Sequence, residues 1–149
     1  MDAIDRKILK VLQADARASL QQIGQAVGLS ASPCWERVKK MEAAGVIEGY
    51  TVRLNAQALG YSDTVLVQVT LDSHSDNTLE KFGETLAAIP EVIEAYLVSG
   101  EYDYLLRVAV KDTRDYERLL REKLYKIRGI RHSKSSFVLR TLKKADLPL

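Results

Sequence analysis

The sequence predicts an α+β protein with two domains, an N-terminal winged helix-turn-helix followed by a ferredoxin-like βαββαβ domain. Residues 18–55 show a short helix, a glycine turn, a second helix with a basic outer face and a small hairpin. After Gly60 the order strand–helix–strand occurs twice, offset by about 40 residues, which is typical of a split βαβ arrangement. We therefore expect a first domain over residues 1–55, a linker over residues 56–62 and a second domain over residues 63–149.

The first two helices each carry one apolar stripe. The stripe of the first helix is formed by Ile4, Ile8, Leu9 and Leu12. Asp2 or Asp5 stands near its N-terminus, where a carboxylate complements the helix dipole. The second helix is predicted over Leu20–Val27, with its stripe at Leu20, Ile23 and Val27. Gly28 follows where the chain reverses, because glycine adopts left-handed backbone angles without a Cβ penalty.

The third helix has a core-facing side and a polar outer face. Ser30 and Ser32 are both good N-cap residues, and Pro33 suits a first helical turn. The core-facing positions are Cys34, Val38 and Met41. The opposite face consists of Ser32, Glu36, Lys39, Lys40 and Ala43, with Trp35 and Arg37 on its flanks. A face that is polar first and basic further along suits base edges and then phosphates.

The residues after Gly45 predict a hairpin that completes the module. Its apolar positions around Gly49 are Val46, Ile47, Tyr50, Val52 and Leu54. A basic helix alone is more often a solvated surface. Together with the preceding helix, turn and hairpin, it predicts a module that places one helix in the major groove of double-stranded DNA. The predicted DNA-binding residues are Ser32, Trp35, Glu36, Arg37, Lys39, Lys40 and, from the hairpin, Arg53.

Composition limits the remaining possibilities. The net charge is only +2, and the excess lies in the residues up to Gly60. Because affinity for DNA grows with each phosphate contact, one copy should bind weakly, and a dimer or larger assembly would supply the missing contacts. The single cysteine, Cys34, excludes an internal disulfide and fits a reducing cytoplasm. No apolar run is long enough to predict a transmembrane helix or signal peptide.

The second half alternates strands and helices. Strands are predicted over residues 64–71, 92–98, 104–110 and about 132–142. One helix has its apolar positions at Leu79, Phe82, Leu86 and Ile89 and is stopped by Pro90. The other has them at Tyr116, Leu119, Leu120, Leu124 and Ile127 and is ended by Gly129.

Two helices can cover only one face of the predicted sheet. The other face carries Leu66, Gln68, Arg107 and Val138. An open sheet face with apolar content indicates self-association.

Two motifs resemble those of the Lrp/AsnC (feast–famine) transcriptional regulators, and the similarity covers essentially the whole chain. The first is S-x-S-P-C-W-E-R-V-K-K-M-E-x-x-G-V-I in the helix-turn-helix. The second is S-G-E-Y-D-Y-L-L in a βαββαβ domain that closes with S-K-S-S-F-V-L-R. The resemblance implies dimers formed through the second domain, assembly often to octamers, and a free amino acid bound where dimers meet. It also implies control of amino-acid metabolism or transport genes in the cytoplasm, in association with the nucleoid.

The resemblance also implies the effector residues. They are Gly100, Glu101, Tyr102 and Asp103 in a loop, and Ser133, Ser135 and Ser136 in the last strand. A zwitterion needs donors for its carboxylate and acceptors for its ammonium, which a glycine loop, hydroxyls and Asp103 supply. The first expectation is leucine, methionine or another neutral aliphatic amino acid, with lysine or arginine as alternatives. Taken alone, the loop residues are more often a plain β-turn.

Two other functions compete with a regulator. The two histidines, His74 and His132, fit no catalytic constellation, and with one buried cysteine they predict no metal site and no cofactor. Sirohaem decarboxylases nevertheless share this two-domain architecture, so the fold alone leaves an enzyme open. The second alternative is an amino-acid-binding module that no longer binds DNA.

Overall fold

The computed structural model describes residues 1–73, 76–145 and 147–149, so His74 lies outside the described residues. The chain forms two compact units, Met1–Leu54 with Lys143–Leu149, and Asn55–Leu142. The second domain was expected to reach residue 149. Instead Leu149 packs against the helical core of the first unit, and the Gln13 side chain donates a hydrogen bond to the Leu147 carbonyl at 3.2 Å.

Three helices make the first unit: α1 (Ala3–Ala14), α2 (Leu20–Val27) and α3 (Ala31–Ala43). α1 and α2 begin with capping boxes, Asp2 with Asp5 and Ser19 with Gln22, which satisfy N–H groups that lack helical partners. The predicted stripes meet in one core, whose buried members are Ile8, Leu9, Ile23, Cys34, Val38 and Met41. The core-facing side predicted for α3 is therefore confirmed.

The turn between α2 and α3 depends on two glycines. Gly28 ends α2 with φ +76°, a left-handed angle, as predicted. Gly24, one turn earlier, accepts hydrogen bonds from the N–H groups of Gly28 and Leu29 at 2.8 and 3.0 Å. A Cβ at Gly24 would lie 2.4 Å from the Leu29 carbonyl oxygen. α2 therefore passes so close to the turn that no side chain fits there.

The predicted hairpin after α3 is not found in the described residues. The N–H groups of Val46 and Ile47 both donate to the Met41 carbonyl, at 2.9 and 3.2 Å, and so finish the helix. Gly49 does not adopt a positive φ, and no β-ladder joins the described residues 46–55. These residues form an irregular segment that leaves the side chains of Tyr50, Val52 and Leu54 exposed.

The second unit is a four-stranded antiparallel sheet. Its strands are β1 (Asp63–Leu71), β2 (Val92–Leu97), β3 (Tyr104–Val110) and β4 (Ile130–Phe137), in the order β2-β3-β1-β4. The helices are α4 (Asp76–Ala87) and α5 (Thr113–Glu122), and the predicted linker holds a 3-10 turn, Gln57–Leu59. The ferredoxin-like order of elements is confirmed.

The last strand is shorter than predicted. Its final backbone bond runs from the Val138 N–H to the Thr64 carbonyl at 2.9 Å, next to the first residue of β1. Beyond that point the neighbouring strand ends, so there is nothing to pair with. Leu139 and Leu142, which were expected within the strand, are 97% and 83% exposed.

The core of the second unit follows the predicted alternation. Every second residue of β1 and β3 is buried, from Val65 to Leu71 and from Tyr104 to Val110. They pack with residues that include Phe82, Leu86, Tyr116 and Leu119. The intervening residues of the same strands, such as Leu66 and Arg107, lie on the opposite face of the sheet, which the helices leave open.

Candidate DNA-binding and effector sites

The outer face of α3 carries most of the predicted DNA-binding residues. Ser30 occupies the N-cap position, although its side chain makes no capping hydrogen bond, and Ser32 lies exposed in the first turn. Glu36 and Lys40 are exposed, and Trp35 exposes half of its surface. An indole on a recognition helix offers an apolar surface to base edges or sugars. The structure therefore brings polar, aromatic and basic groups onto one accessible helix.

Arg37 is engaged inside the helical unit, which sequence reasoning missed. Its Nη1 donates to Oδ2 of Asp2 at 2.8 Å and to Oδ1 of Asp5 at 2.7 Å. The backbone N–H of Asp5 and the Arg37 guanidinium lower the pKa of Asp2 to about 2. The backbone N–H of Asp2 and the same guanidinium lower the pKa of Asp5. Only the acidic residues at the start of α1 signalled this pairing in the sequence.

Lys39 and Lys40 differ in their surroundings. Nζ of Lys39 forms an ion pair with Glu42 at 2.7 Å, and the Tyr50 hydroxyl donates to the same carboxylate at 3.0 Å. Both contacts lower the pKa of Glu42, and the contact with Lys39 has the larger effect. Lys40 makes no hydrogen bond or ion pair with any residue that the structure describes. Arg53 lies exposed in the segment after α3.

The loop of Gly100–Asp103 is fastened to β1 through its last residue. The Asp103 N–H donates to the Val69 carbonyl at 2.9 Å, and its Oδ2 accepts from the Leu71 N–H at 2.7 Å. Asp103 therefore holds the loop to β1, a role that the prediction of an ammonium acceptor did not include. Gly100 has φ +127°, which disfavours any other residue, and Glu101 is exposed.

The three serines of β4 do not share one face. Ser133 is paired with Val69 and Ser135 with Val67, so both lie on the helix-covered side of the sheet. Ser136 is paired with Leu66 and lies on the open side. Val69 of β1 is paired with Tyr104 of β3 on one side and with Ser133 of β4 on the other. The structure thus brings the loop and Ser133 to one end of the sheet, about 10 Å apart across β1, and separates Ser136 from them.

Ser135 has a partner that the sequence did not indicate. Its Oγ lies 2.5 Å from the hydroxyl of Tyr116 on α5, whose ring packs edge-on against Phe137 at 5.4 Å. Burial raises the pKa of the Tyr116 phenol, against the effect of its hydrogen bond to Ser135. Tyr116 had been assigned only to the core. The Ser135 hydroxyl is thus already used to join β4 to α5.

An apolar groove lies between α4 and β2, next to the loop. It has a volume of about 480 Å³ and is lined by Leu79, Glu80, Gly83, Glu84, Ala87, Ala95, Leu97 and Tyr104. Two of these lining residues are joined, because the Tyr104 hydroxyl donates a hydrogen bond to the Leu79 carbonyl. Leu97 and Tyr104 are the residues that flank the loop segment on β2 and β3. The groove could take an aliphatic side chain of a small ligand.

Known proteins match both units. A model of the AsnC-type helix-turn-helix domain matches residues 1–42, and a model of the Lrp/AsnC ligand binding domain matches residues 64–148. The leucine-responsive regulatory protein of Klebsiella pneumoniae is 38% identical over 146 residues, which cover 98% of this chain and 89% of that protein. These matches extend over nearly the full length of the chain.

Two solved structures share the fold. The crystal structure of an AsnC family transcriptional regulator from Agrobacterium tumefaciens superposes with a TM-score of 0.94 at 40% identity, covering 99% of this chain and 97% of that one. A transcriptional regulator from Neisseria meningitidis in complex with L-methionine gives a TM-score of 0.93 at 31% identity, covering 99% and 96%. With a helix-turn-helix unit and a ligand-binding unit in the order of these relatives, the chain belongs to the Lrp/AsnC family of DNA-binding transcriptional regulators.

Proposed function

We propose that this regulator binds double-stranded DNA through α3 and changes its DNA binding or assembly when a free neutral aliphatic amino acid binds to the second unit. The observation that carries the proposal is the pairing of an accessible polar and basic α3 with a fastened glycine loop beside an apolar groove. Similar proteins include a leucine-responsive regulator and a regulator complexed with L-methionine. The expected targets are genes of amino-acid metabolism or transport.

The proposed DNA contacts divide into readers and phosphate contacts. Ser32, Trp35 and Glu36 lie exposed in the N-terminal part of α3 and would meet base edges. The exposed basic residues Lys39, Lys40 and Arg53 would contact phosphates. Lys40→Ala should weaken binding to a preferred duplex and a random duplex alike and lower the salt slope by about 1. A loss confined to the preferred duplex would make Lys40 a base reader instead.

The proposed effector site centres on the loop Gly100–Asp103 and Ser133. Backbone N–H groups of Gly100 and Glu101 would approach the ligand carboxylate, and the Ser133 hydroxyl, on the other side of β1, would contact a different part of the ligand. Tyr102 and the groove between α4 and β2 would surround an aliphatic side chain. Ser135 and Ser136, which the resemblance also implied, are supported less well, since one is held by Tyr116 and the other lies on the opposite face.

We propose that copies of the chain associate through the open sheet face. Leu66 and Gln68 of β1 lie on this face, and Arg107 there forms a two-pronged ion pair with Glu94 at 2.8 Å. An apolar and charged surface of this kind suits a symmetric homodimer, and dimers would assemble further, as far as an octamer. The proposed linker between the DNA-binding domain and the effector-binding and oligomerisation domain remains residues 56–62.

No catalytic function is proposed, and the cytoplasm, in association with the nucleoid, is the proposed location. Within residues 1–73, 76–145 and 147–149 no group of three histidine, cysteine or acidic residues is arranged to hold a metal ion. The same residues include no helix long and apolar enough to span a membrane.

A thermal-shift screen over the twenty amino acids tests the effector proposal. A ligand at a hundred times its Kd stabilises the fold by about 2.7 kcal/mol, which such a screen detects readily. We expect leucine, methionine or a similar side chain to raise the melting temperature and to change the gel shift of a bound duplex. A response to lysine or arginine alone would favour the acidic Glu101 and Asp103 as charge partners.

A further inference from the structure

We propose that Arg37 is a positioning residue for DNA recognition, not a phosphate contact. Together with Asp2 and Asp5 it forms what we call the Arg37 clamp, which fixes the orientation of α3 against the start of α1. The inference rests on the DNA-binding function of α3 and names a residue on which that function depends.

The carboxylates of the clamp are themselves held in place. Oδ1 of Asp2 accepts from the N–H groups of Ile4 and Asp5 at 2.8 and 2.9 Å, which leaves Oδ2 for Arg37. Oδ2 of Asp5 accepts from the Asp2 N–H at 2.8 Å, which leaves Oδ1 for Arg37. Each carboxylate therefore uses one oxygen to cap α1 and the other to hold the guanidinium. The clamp is built into the capping box, so its geometry is set before any DNA arrives.

The Arg37 clamp fixes the rotation of α3 about its own axis, which the apolar core does not. Cys34, Val38 and Met41 bury one side of α3, but apolar packing is non-directional and tolerates a small rotation about the helix axis. Arg37 lies on the flank of that side and bonds to α1 at fixed angles. A rotation of α3 by about 20° would move side-chain tips by about 2 Å, given a helix radius of about 6 Å. Base-edge hydrogen bonds do not survive such a displacement.

The charges of the clamp oppose a phosphate contact. One guanidinium between two carboxylates leaves a net charge of −1, and the side chain of Arg37 is only 31% exposed. A phosphate approaching Arg37 would meet both carboxylates as well. Lys40, which is exposed and has no partner among the described residues, is far better suited to that role.

The test compares variants that open the clamp from either side. The full-length protein first enriches a preferred duplex from a random-sequence pool, and that duplex and a random one are then titrated at several salt concentrations. Arg37→Ala and the double variant Asp2→Asn/Asp5→Asn should each weaken binding to the preferred duplex by about threefold to tenfold. Binding to the random duplex and the salt slope should not change. Asn is an acceptable N-cap, so Asp2→Asn removes charge while keeping the cap.

Three further outcomes decide the proposal. Adding Arg37→Ala to the double carboxylate variant should cost nothing more, because the clamp is already open. If Arg37 met a phosphate, its loss would lower the salt slope by about 1, and removing the carboxylates would strengthen binding to both duplexes; either result overturns the proposal. Lys40→Ala is the matched control, since it should lower the salt slope in every background.

A measurement without DNA keeps the inference separate from the proposed function. Amide hydrogen exchange should become faster in the first turn of α1 and along α3 in Arg37→Ala, and remain unchanged in the second unit. Unchanged exchange in α1 and α3 would refute the clamp. If the wild-type protein enriched no duplex, the DNA-binding proposal would fail, and the exchange result would still decide whether the clamp positions α3.

Discussion

Of the described glycines, Gly24 leaves the least room for an added Cβ. A Cβ added there would lie 2.4 Å from the Leu29 carbonyl oxygen, whereas real Cβ contacts under 3.0 Å essentially do not occur. In Gly24→Ala that carbonyl has to withdraw by about 0.6 Å to relieve the contact. Leu29 precedes Ser30, the N-cap of α3, so the displacement is passed directly to the start of α3.

The expected cost of Gly24→Ala follows from two opposing effects. Overpacking against backbone costs about 1–3 kcal/mol. Alanine in a helix interior regains up to about 1 kcal/mol relative to glycine. We therefore expect the helical unit to lose up to about 2 kcal/mol of unfolding free energy and to bind its preferred duplex less tightly.

Trp35 provides the assay, because it is the single tryptophan of the chain and lies in the helical unit. Its fluorescence during urea unfolding reports that unit, and the midpoint of Gly24→Ala should fall by roughly 1 M. Gly49→Ala is the matched control, since Gly49 has no atom within 4 Å of an added Cβ and no positive φ. The control should be neutral or stabilised by about 0.4–1 kcal/mol. Equal midpoints for wild type and Gly24→Ala would show that α2 does not pass as close to the turn as described.

Four further predictions concern the second unit and the clamp. Gly100→Ala, strained at φ +127°, should keep DNA binding but lose the amino-acid response in a gel shift, and Ser133→Ala should lower ligand affinity in calorimetry by about 0.5–1.5 kcal/mol. Leu66→Glu should weaken self-association about a hundredfold in light scattering, because burying an unpaired carboxylate is costly; an unchanged mass would place the interface elsewhere. Since the pKa of Asp2 is lowered from 3.8 to about 2, its contribution to stability is present above pH 3.8 and lost as the pH falls toward 2. In urea titrations, the unfolding free energy should therefore fall less between pH 3.8 and pH 2 in Arg37→Ala than in wild type.

Local periodicity explains why most elements could be predicted. The stripe of Cys34, Val38 and Met41 and the alternation from Val65 to Leu71 arise from neighbours in sequence, and both were found as expected. The hairpin after α3 and the length of β4 depend on whether a distant strand is available to pair with. Apolar content alone could not reveal that β1 begins at Asp63 and leaves Leu139 without a partner.

The candidate sites were predicted only as far as sequence neighbours determine them. The ion pairs of Arg37 join residues more than 30 positions apart, so no spacing rule indicates them. The orientation of the serines is different. Successive residues of a strand point to opposite faces of the sheet. The sequence alone therefore already predicts that Ser136 lies on the face opposite to Ser133 and Ser135. The bond between Ser135 and Tyr116 required the packing of α5 on the sheet.

The return of Lys143–Leu149 to the helical unit determines when that unit can finish folding. During synthesis its first 54 residues leave the ribosome early, but Leu149, which packs on their core, is made only after the second unit. The whole sheet is translated in between, as an insertion between two parts of one unit. A chain interrupted anywhere before residue 143 leaves the helices without this covering and their apolar core more open to water. Such a chain offers chaperones and proteases a surface that the finished protein hides.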